Sequence, residues 1–171
     1  TTEIYTLSLH DALPIYVSAL GLDIGHKRIG VAGCDRLGML VTELTTLQGK
    51  SFLALVEALQ RLIQERQVTV LVVGLPYTMD GAIGQQAQRV KSFAQRLSSA
   101  LQLPVEYVDE RLTSFQAEQM LLAEGTSPSR NKGLIDRKAA AIILQQWLDQ
   151  RAHKGSAPFV KPFEPVAGDL E

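Results

Sequence analysis

The segment Val68–Gly74 (VTVLVVG) constrains the fold most, because it is an unbroken run rich in β-branched residues. Such a run is typical of a strand that is buried on both faces of a sheet. Apolar residues at helical spacing lie on either side of it: Phe52, Leu55, Val56, Leu59, Leu62 and Ile63 before, and Ile83, Ala87, Val90, Ala94, Leu97 and Leu101 after. This alternation predicts a layered α/β domain with a central sheet.

Three further strands are predicted before the first helix, at Val17–Gly25, Arg28–Cys34 and Met39–Leu47. The joints between them are short and turn-prone, which favours an antiparallel meander. A last strand, Val105–Asp109, follows the second helix.

Two more helices complete the predicted order. Thr113 and Gln116 match a capping box, with Thr113 as the N-cap of a helix that ends near Gly125. The final helix is predicted over Leu134–Leu148. The order β-β-β-α-β-α-β-α-α predicts one mixed five-stranded sheet, with three antiparallel strands followed by parallel strands and with helices on both faces.

The sequence predicts one domain, over residues 17–150. Residues 1–16 begin without Met and resemble a translated adapter sequence fused to the true start; the alternative is a native extension. They contain no Lys or Arg, which argues against a signal peptide. Residues 151–171 are rich in Pro and Gly and are predicted to form a flexible tail.

Composition excludes several classes of protein. The 17 Lys and Arg against 18 Asp and Glu give a net charge of −1, so any nucleic-acid binding must come from a local basic patch. The single cysteine excludes a disulfide framework, and the cysteine and three histidines lack zinc-ligand spacing. No apolar run is long enough for a membrane span, so we expect a cytoplasmic protein.

Asp23 lies in the first predicted strand, inside the motif GLDIG (21–25). Because side chains alternate along a strand, its carboxylate shares a face with two glycines. The glycines leave open space in which a hydrated metal or a phosphate can approach. The alternative is a strand-end acid that pairs with Lys27 or Arg28.

Two more acidic positions follow. Asp109 and Glu110 close the last strand, where ligands gather in open α/β sheets. Only one of this pair should face the same way as Asp23, and the alternative is a solvated turn paired with Arg111. Asp136 shares a stripe of the final helix with Ala140, Ile143 and Trp147, which predicts that it points inward. The alternative for Asp136 is an acid that stabilises the start of its helix.

These motifs occur in colinear order over about residues 19–148: GLDIG (21–25) with RIGVA (28–32), VVGLP (72–76) with MDG (79–81), VDERLTS (108–114), and KG (132–133) before Asp136 and AAAIILQ (139–145). In this the chain resembles the YqgF family of RNase H-like proteins, also described as Holliday junction resolvases or pre-16S rRNA nucleases. The resemblance implies an RNase H-like fold. Relatives such as the RuvC resolvases carry an acid at the end of the fourth strand, where this chain reads Gly74-Leu75-Pro76.

The resemblance also implies an activity. It predicts a metal-dependent nuclease that processes the 5′ end of the 16S rRNA precursor, with Asp23, Glu110 and Asp136 as the catalytic and metal-binding residues. Hard cations such as Mg²⁺ or Mn²⁺ take carboxylate oxygens together with water and substrate phosphate. The expected partner is nucleic acid, with structured RNA preferred and a DNA junction as the alternative.

A basic segment is the candidate substrate contact. Residues 130–138 carry a local charge of +3 from Arg130, Lys132, Arg137 and Lys138 against Asp136. Lys27 and Arg28 are predicted to add to it. Contacts of this kind position a phosphate backbone without reading its sequence. The alternative is a solvated polar loop.

Three other functions remain open at this point. The pattern from Asp23 to Ala32 also opens sugar kinases and actin-like proteins, but those need a second domain for which this chain is too short. A non-catalytic module that binds RNA or a ribosome-assembly partner agrees with the nearly neutral charge. A Holliday junction resolvase acting on DNA is the nearest alternative among nucleases, and the sequence does not indicate an oligomeric state.

Overall fold

The computed structural model describes residues 17–111 and 113–153; the predicted extension at 1–16 and residues 154–171 of the predicted tail lie outside the described residues. A short 3-10 turn at Pro128–Arg130 separates the last two helices. The elements in chain order are β1 (Ala19–Ile24), β2 (Arg28–Cys34), β3 (Val41–Gln48), α1 (Phe52–Arg66), β4 (Val70–Leu75), α2 (Gln85–Leu101), β5 (Val105–Asp109), α3 (Thr113–Ala123) and α4 (Lys132–His153).

The five strands form one mixed sheet in the order β3-β2-β1-β4-β5. β2 pairs antiparallel with both β1 and β3, whereas β1, β4 and β5 run parallel. The predicted fold class is therefore confirmed. Because the three parallel strands end at one edge, the residues that follow them lie at a shared site, which we call the carboxyl edge.

Helices cover both faces of the sheet. On one face, large aliphatic side chains of the strands pack against α1 and α2, and Leu59 and Leu97 are fully buried there. On the other face, smaller strand residues pack against α4, whose Ala140, Ile143 and Leu144 are fully buried. No helix among the described residues is both long enough and apolar enough to cross a membrane.

Several element boundaries differ from the predictions. β3 begins at Val41, because the Asp35 carboxylate accepts hydrogen bonds from the backbone N–H groups of Met39 and Leu40 and holds them in a turn. Helix α2 begins after Gly84, so Ile83 lies outside it and is exposed. α4 runs past the predicted end to His153.

The predicted capping box at Thr113 is wrong. Thr113 lies inside α3, and its backbone N–H donates to the carbonyl oxygen of Glu110 at 2.9 Å. Its hydroxyl is buried and has no hydrogen-bond partner among the described residues, so it does not cap the helix.

Candidate active site

Asp23 lies near the end of β1, on the sheet face that α4 covers. It is paired across the antiparallel register with Gly30 of β2. A Cβ added at Gly30 would lie only 1.8 Å from the carbonyl oxygen of Asp136. The absence of a side chain at Gly30 therefore lets the N-terminal part of α4 approach the strand and brings Asp136 to the neighbourhood of Asp23.

Glu110 reaches the same face from the end of β5. Its backbone N–H donates to the carbonyl oxygen of Leu75 at 3.1 Å, which ties it to the end of β4. A Cβ added at Gly74 would lie 2.1 Å from Oε2 of Glu110. The Glu110 carboxylate thus occupies the space above Gly74, the strand position where the sequence lacks an acid.

The carboxyl groups of Asp23 and Glu110 interact through a hydrogen bond. Burial and the negative charge of Asp136 together raise the pKa of Asp23 to about 7, although the hydrogen bond with Glu110 acts to lower it. Burial, the charge of Asp23, the hydrogen bond to Asp23 and the charge of Asp109 together raise the pKa of Glu110 to about 8. Two adjacent, half-buried carboxyls without a cation cannot both ionise easily. Near neutral pH the pair therefore holds a proton.

Asp109 points away from this pair. Its Oδ2 forms an ion pair with Nη2 of Arg111 at 2.7 Å on the exposed surface. Burial acts to raise the pKa of Asp109, but the hydrogen bonds and the charge of Arg111 outweigh it, so the pKa is lowered. Of the two adjacent acids, Glu110 is the one that faces Asp23.

Asp136 completes the acidic cluster, but its carboxylate is turned toward the guanidinium group of Arg28. Its Oδ2 accepts a hydrogen bond from Nε of Arg28 at 2.6 Å, and both side chains are partly buried. Arg28, at the start of β2, therefore pairs with Asp136 rather than with Asp23. Its charge offsets part of the negative charge that the three acids concentrate at the carboxyl edge.

The chemistry of the donors fits a hard divalent cation. Asp23 and Glu110 offer carboxylate oxygens at one point, and a cation placed there would take over the role of the shared proton. Among residues 17–111 and 113–153, no group of three or more Asp, Glu, His or Cys side chains is arranged to hold a metal ion. The structure therefore brings together a pair of candidate ligands, with Asp136 nearby and held by Arg28.

The predicted basic contacts divide into two sets. Lys27, Arg130 and Lys132 are exposed, and Arg137 is half-buried. Lys138 is instead buried, and its ammonium group pairs with Glu43 at 3.1 Å and Glu124 at 2.9 Å. The prediction that Lys138 contacts substrate is corrected, since these internal ion pairs hold its charge inside the fold.

The roles of Gly30 and Gly74 were not predicted from the sequence. A hairpin closed at residues 25–27 places Gly30 opposite Asp23, so the hairpin register could have identified it. Gly74 has no comparable local signal, because its function depends on Glu110 from a different strand.

Related proteins identify the family of this chain. Residues 17–150 match the family model described as "RuvX: Holliday junction resolvase". A protein of Trichormus variabilis named "Putative pre-16S rRNA nuclease" is 69% identical over 136 residues, which cover 80% of this chain and 90% of the relative. A protein of the same name from Synechococcus elongatus is 63% identical over 136 residues, which cover 80% of this chain and 91% of that relative.

Among solved structures, this chain is similar to the fowlpox virus resolvase solved with Holliday junction DNA. The TM-score is 0.50 at 9% identity, over 79% of this chain and 99% of the resolvase. At that identity the likeness concerns the fold alone. Taken with the family match over residues 17–150 and the identities of the bacterial relatives, the chain belongs to the RuvX family, also called the YqgF family.

Proposed function

We propose that this protein is a divalent-metal-dependent nuclease that hydrolyses phosphodiester bonds at the carboxyl edge of its sheet. The observation that carries the proposal is the partly buried pair Asp23–Glu110, whose raised pKa values mark a site where negative charge is concentrated. Asp136 lies close enough for its charge to raise the pKa of Asp23. Three acids gathered at one sheet edge suit the binding of cations against a phosphate.

In this proposal Asp23 and Glu110 hold the cation, Mg²⁺ or Mn²⁺, and Asp136 supports them. When bound, the cation would supply Lewis-acid activation of the scissile phosphate. Arg28 orients Asp136 through its Nε and keeps its remaining N–H groups available for a phosphate oxygen. Lys27, Arg130, Lys132 and Arg137 position the nucleic-acid backbone around the site.

The natural substrate that we propose is the 5′ end of the 16S rRNA precursor, processed in the cytoplasm during ribosome maturation. The names of the bacterial relatives support this choice, because their identity to this chain reaches 69%. A four-way DNA junction is the second candidate, since the family model carries that description. Both substrates require the same phosphodiester chemistry, so one assay can compare them.

The test is cleavage of a structured precursor-rRNA fragment and a DNA junction by the full chain, with Mg²⁺ or Mn²⁺ against EDTA. Asp23→Asn and Glu110→Gln should each lower the cleavage rate by about a hundredfold or more, because each removes a cation ligand. Asp109→Asn is the matched control: it neutralises the adjacent exposed acid and should leave the rate within about twofold.

Cutting that persists in EDTA, or that Asp23→Asn leaves unchanged, would contradict the catalytic proposal. Binding of RNA without any metal-dependent cutting would favour the non-catalytic RNA-binding module instead. The substrate that is cut faster identifies the preferred nucleic acid.

A further inference from the structure

A second surface with features suited to nucleic acid lies on α2, on the opposite sheet face from α4. This helix carries Arg89, Lys91 and Arg96 and contains no acidic residue, although the whole chain has a net charge of −1. Arg89 and Arg96 are exposed, and neither forms an ion pair among the described residues. They are seven residues apart, which places them on one side of the helix at a separation of about 10 Å along its axis.

Aromatic rings lie beside these cations. Phe93 packs edge-on against Phe52 of α1, with ring centroids 5.9 Å apart. The guanidinium group of Arg96 lies over the Phe52 ring at 4.3 Å, which fixes the position of its charge. Arg89 has no such contact and remains free to approach a ligand within the described part of the chain.

A cavity of about 200 Å³ opens between α2 and the turn that joins β1 to β2. The cavity is lined by the phenyl ring of Phe93, the imidazole of His26, the guanidinium group of Arg89 and the amide of Gln86. Apolar side chains such as Ile24 and Val90 form the rest of its wall, and no acidic residue lines it. Sites for drug-sized ligands usually occupy about 300–1,000 Å³, so this smaller cavity suits a fragment such as a single base. The exposed side of α2 continues the basic surface to Arg96.

The cavity adjoins the acidic site through the backbone of β1. Ile24, which lines the cavity, directly follows Asp23, and the two side chains point to opposite faces of the sheet. α2 begins at the carboxyl edge because it follows β4, so Arg89 lies near that edge and Arg96 farther away. A single-stranded nucleic acid that leaves the acidic site over the β1–β2 turn would therefore meet the cavity first, then Arg89 and then Arg96.

We propose that this α2 groove, formed by His26, Gln86, Arg89, Phe93 and Arg96, binds a single-stranded extension of the RNA substrate beyond the cleavage site; the proposal rests on the proposed nuclease function. A positive groove combined with aromatic side chains is the arrangement by which proteins hold single strands without reading their sequence. The groove would favour substrates in which a structured region is followed by unpaired nucleotides.

The experiment measures binding by fluorescence anisotropy in EDTA, with the full chain and two labelled RNAs. One RNA is a blunt hairpin, and the other is the same hairpin with an eight-nucleotide single-stranded extension. The extended RNA is made in two versions, with the extension at the 5′ end or at the 3′ end. We expect wild type to bind the extended RNA about tenfold more tightly. The double variant Arg89→Gln/Arg96→Gln should bind the two RNAs equally tightly. The number of ions released when it binds the extended RNA, measured from the salt dependence of binding, should fall by about two.

The matched control is Arg36→Gln/Arg61→Gln, which removes two exposed arginines that are not part of α2. It should keep the advantage of the extended RNA. Equal binding of both RNAs by wild type, or equal loss in the α2 and control variants, would overturn the groove proposal.

Asp23→Asn separates this proposal from the nuclease function. The variant should keep the preference for the extended RNA, because the groove lies on the opposite face from the Asp23 side chain. If Asp23→Asn cleaves like wild type, the nuclease proposal fails while the groove stands; if the preference for the extension is absent from a protein that cleaves, the groove proposal fails alone.

Discussion

The two faces of the sheet differ in the size of their side chains. The face under α1 and α2 carries large aliphatic residues: Leu20, Leu22, Ile29, Val31, Leu71 and Val73. The face under α4 carries Val70 and Val72 but otherwise mainly small residues and one acid at the same strands: Ala19, Gly21, Asp23, Gly30, Ala32 and Gly74. A Cβ added at Gly21 would lie 2.7 Å from the carbonyl oxygen of Ala140, so α4 lies directly against the strand.

This difference separates stability from site geometry. Large apolar side chains bury more surface per residue, and the α1–α2 face holds more of them than the α4 face. Close approach of α4 requires the absence of side chains, and it sets the position of Asp136 relative to Asp23. A substitution on the α1–α2 face should therefore affect folding alone, whereas one on the α4 face should also affect the site.

The largest expected effect is on stability at the α1–α2 face. Leu59→Ala should lower the free energy of unfolding by about 3 kcal/mol, because Leu59 is fully buried between α1 and the sheet. Urea denaturation measures it, and cleavage per folded molecule should stay unchanged. Leu53→Ala in the same helix is the control: Leu53 is 69% exposed, so its cost should be below about 0.5 kcal/mol.

Gly30→Ala tests the α4 face. The added methyl would meet the backbone of Asp136, so the free energy of unfolding should fall by about 2 kcal/mol and Asp136 should move. Gly33→Ala is the matched control in the same strand, since its nearest neighbours are the side-chain ends of Leu44 and Arg66 at 3.0 and 3.2 Å. Equal costs in urea denaturation for both variants would show that α4 does not need the close approach.

Gly74→Ala tests the Glu110 side of the site. The added methyl would displace the end of the Glu110 side chain, so the affinity for Mn²⁺ should fall about tenfold. It would also lie 2.5 Å from Cδ1 of the buried Ile143, so the free energy of unfolding in EDTA should fall by about 1 kcal/mol. Electron paramagnetic resonance of free Mn²⁺ measures the affinity. Gly49→Ala is the control, because its Cβ would make an ordinary contact of 3.4 Å with the carbonyl oxygen of Lys27. An unchanged affinity in Gly74→Ala would mean that Glu110 does not bind the cation.

The last prediction concerns pH. Burial and mutual repulsion raise the pKa values of Asp23 and Glu110 from 3.8 and 4.5 to about 7 and about 8, so between about pH 4 and 8 the folded state holds protons that the unfolded chain has released. In EDTA, the free energy of unfolding should therefore fall as pH rises through this window, by about 1.4 kcal/mol per pH unit for each proton that only the folded state holds. Asp23→Asn/Glu110→Gln should flatten the profile, and Asp109→Asn should keep it. A flat wild-type profile between pH 5 and 8 would contradict the pKa values.

Local pattern was sufficient for most of the fold. The strands β2 and β5 begin and end where predicted, because each is bounded by turn residues adjacent in the sequence. The end of α4 was predicted too early. Arg151 stacks on Trp147 at 4.4 Å and approaches Glu106 of β5 at 4.0 Å, and these contacts accompany helical residues beyond Leu148.

The candidate site was predictable only in part. The sequence predicted three acids at the ends of elements that meet at one edge: Asp23, Asp136 and one of the two neighbours Asp109 and Glu110. The buried position of Lys138 was not visible, because its two partners, Glu43 and Glu124, come from β3 and the residues after α3.

The amino-acid sequence by itself determined the order of strands and helices and the presence of acids near the carboxyl edge, since both follow from side-chain periodicity within short segments. Only the tertiary structure decided that Glu110 faces Asp23, that Asp136 pairs with Arg28, and that glycines let α4 reach the sheet. Arg28 and Asp136 are 108 residues apart, so their contact depends on how the packed elements meet and not on any local pattern.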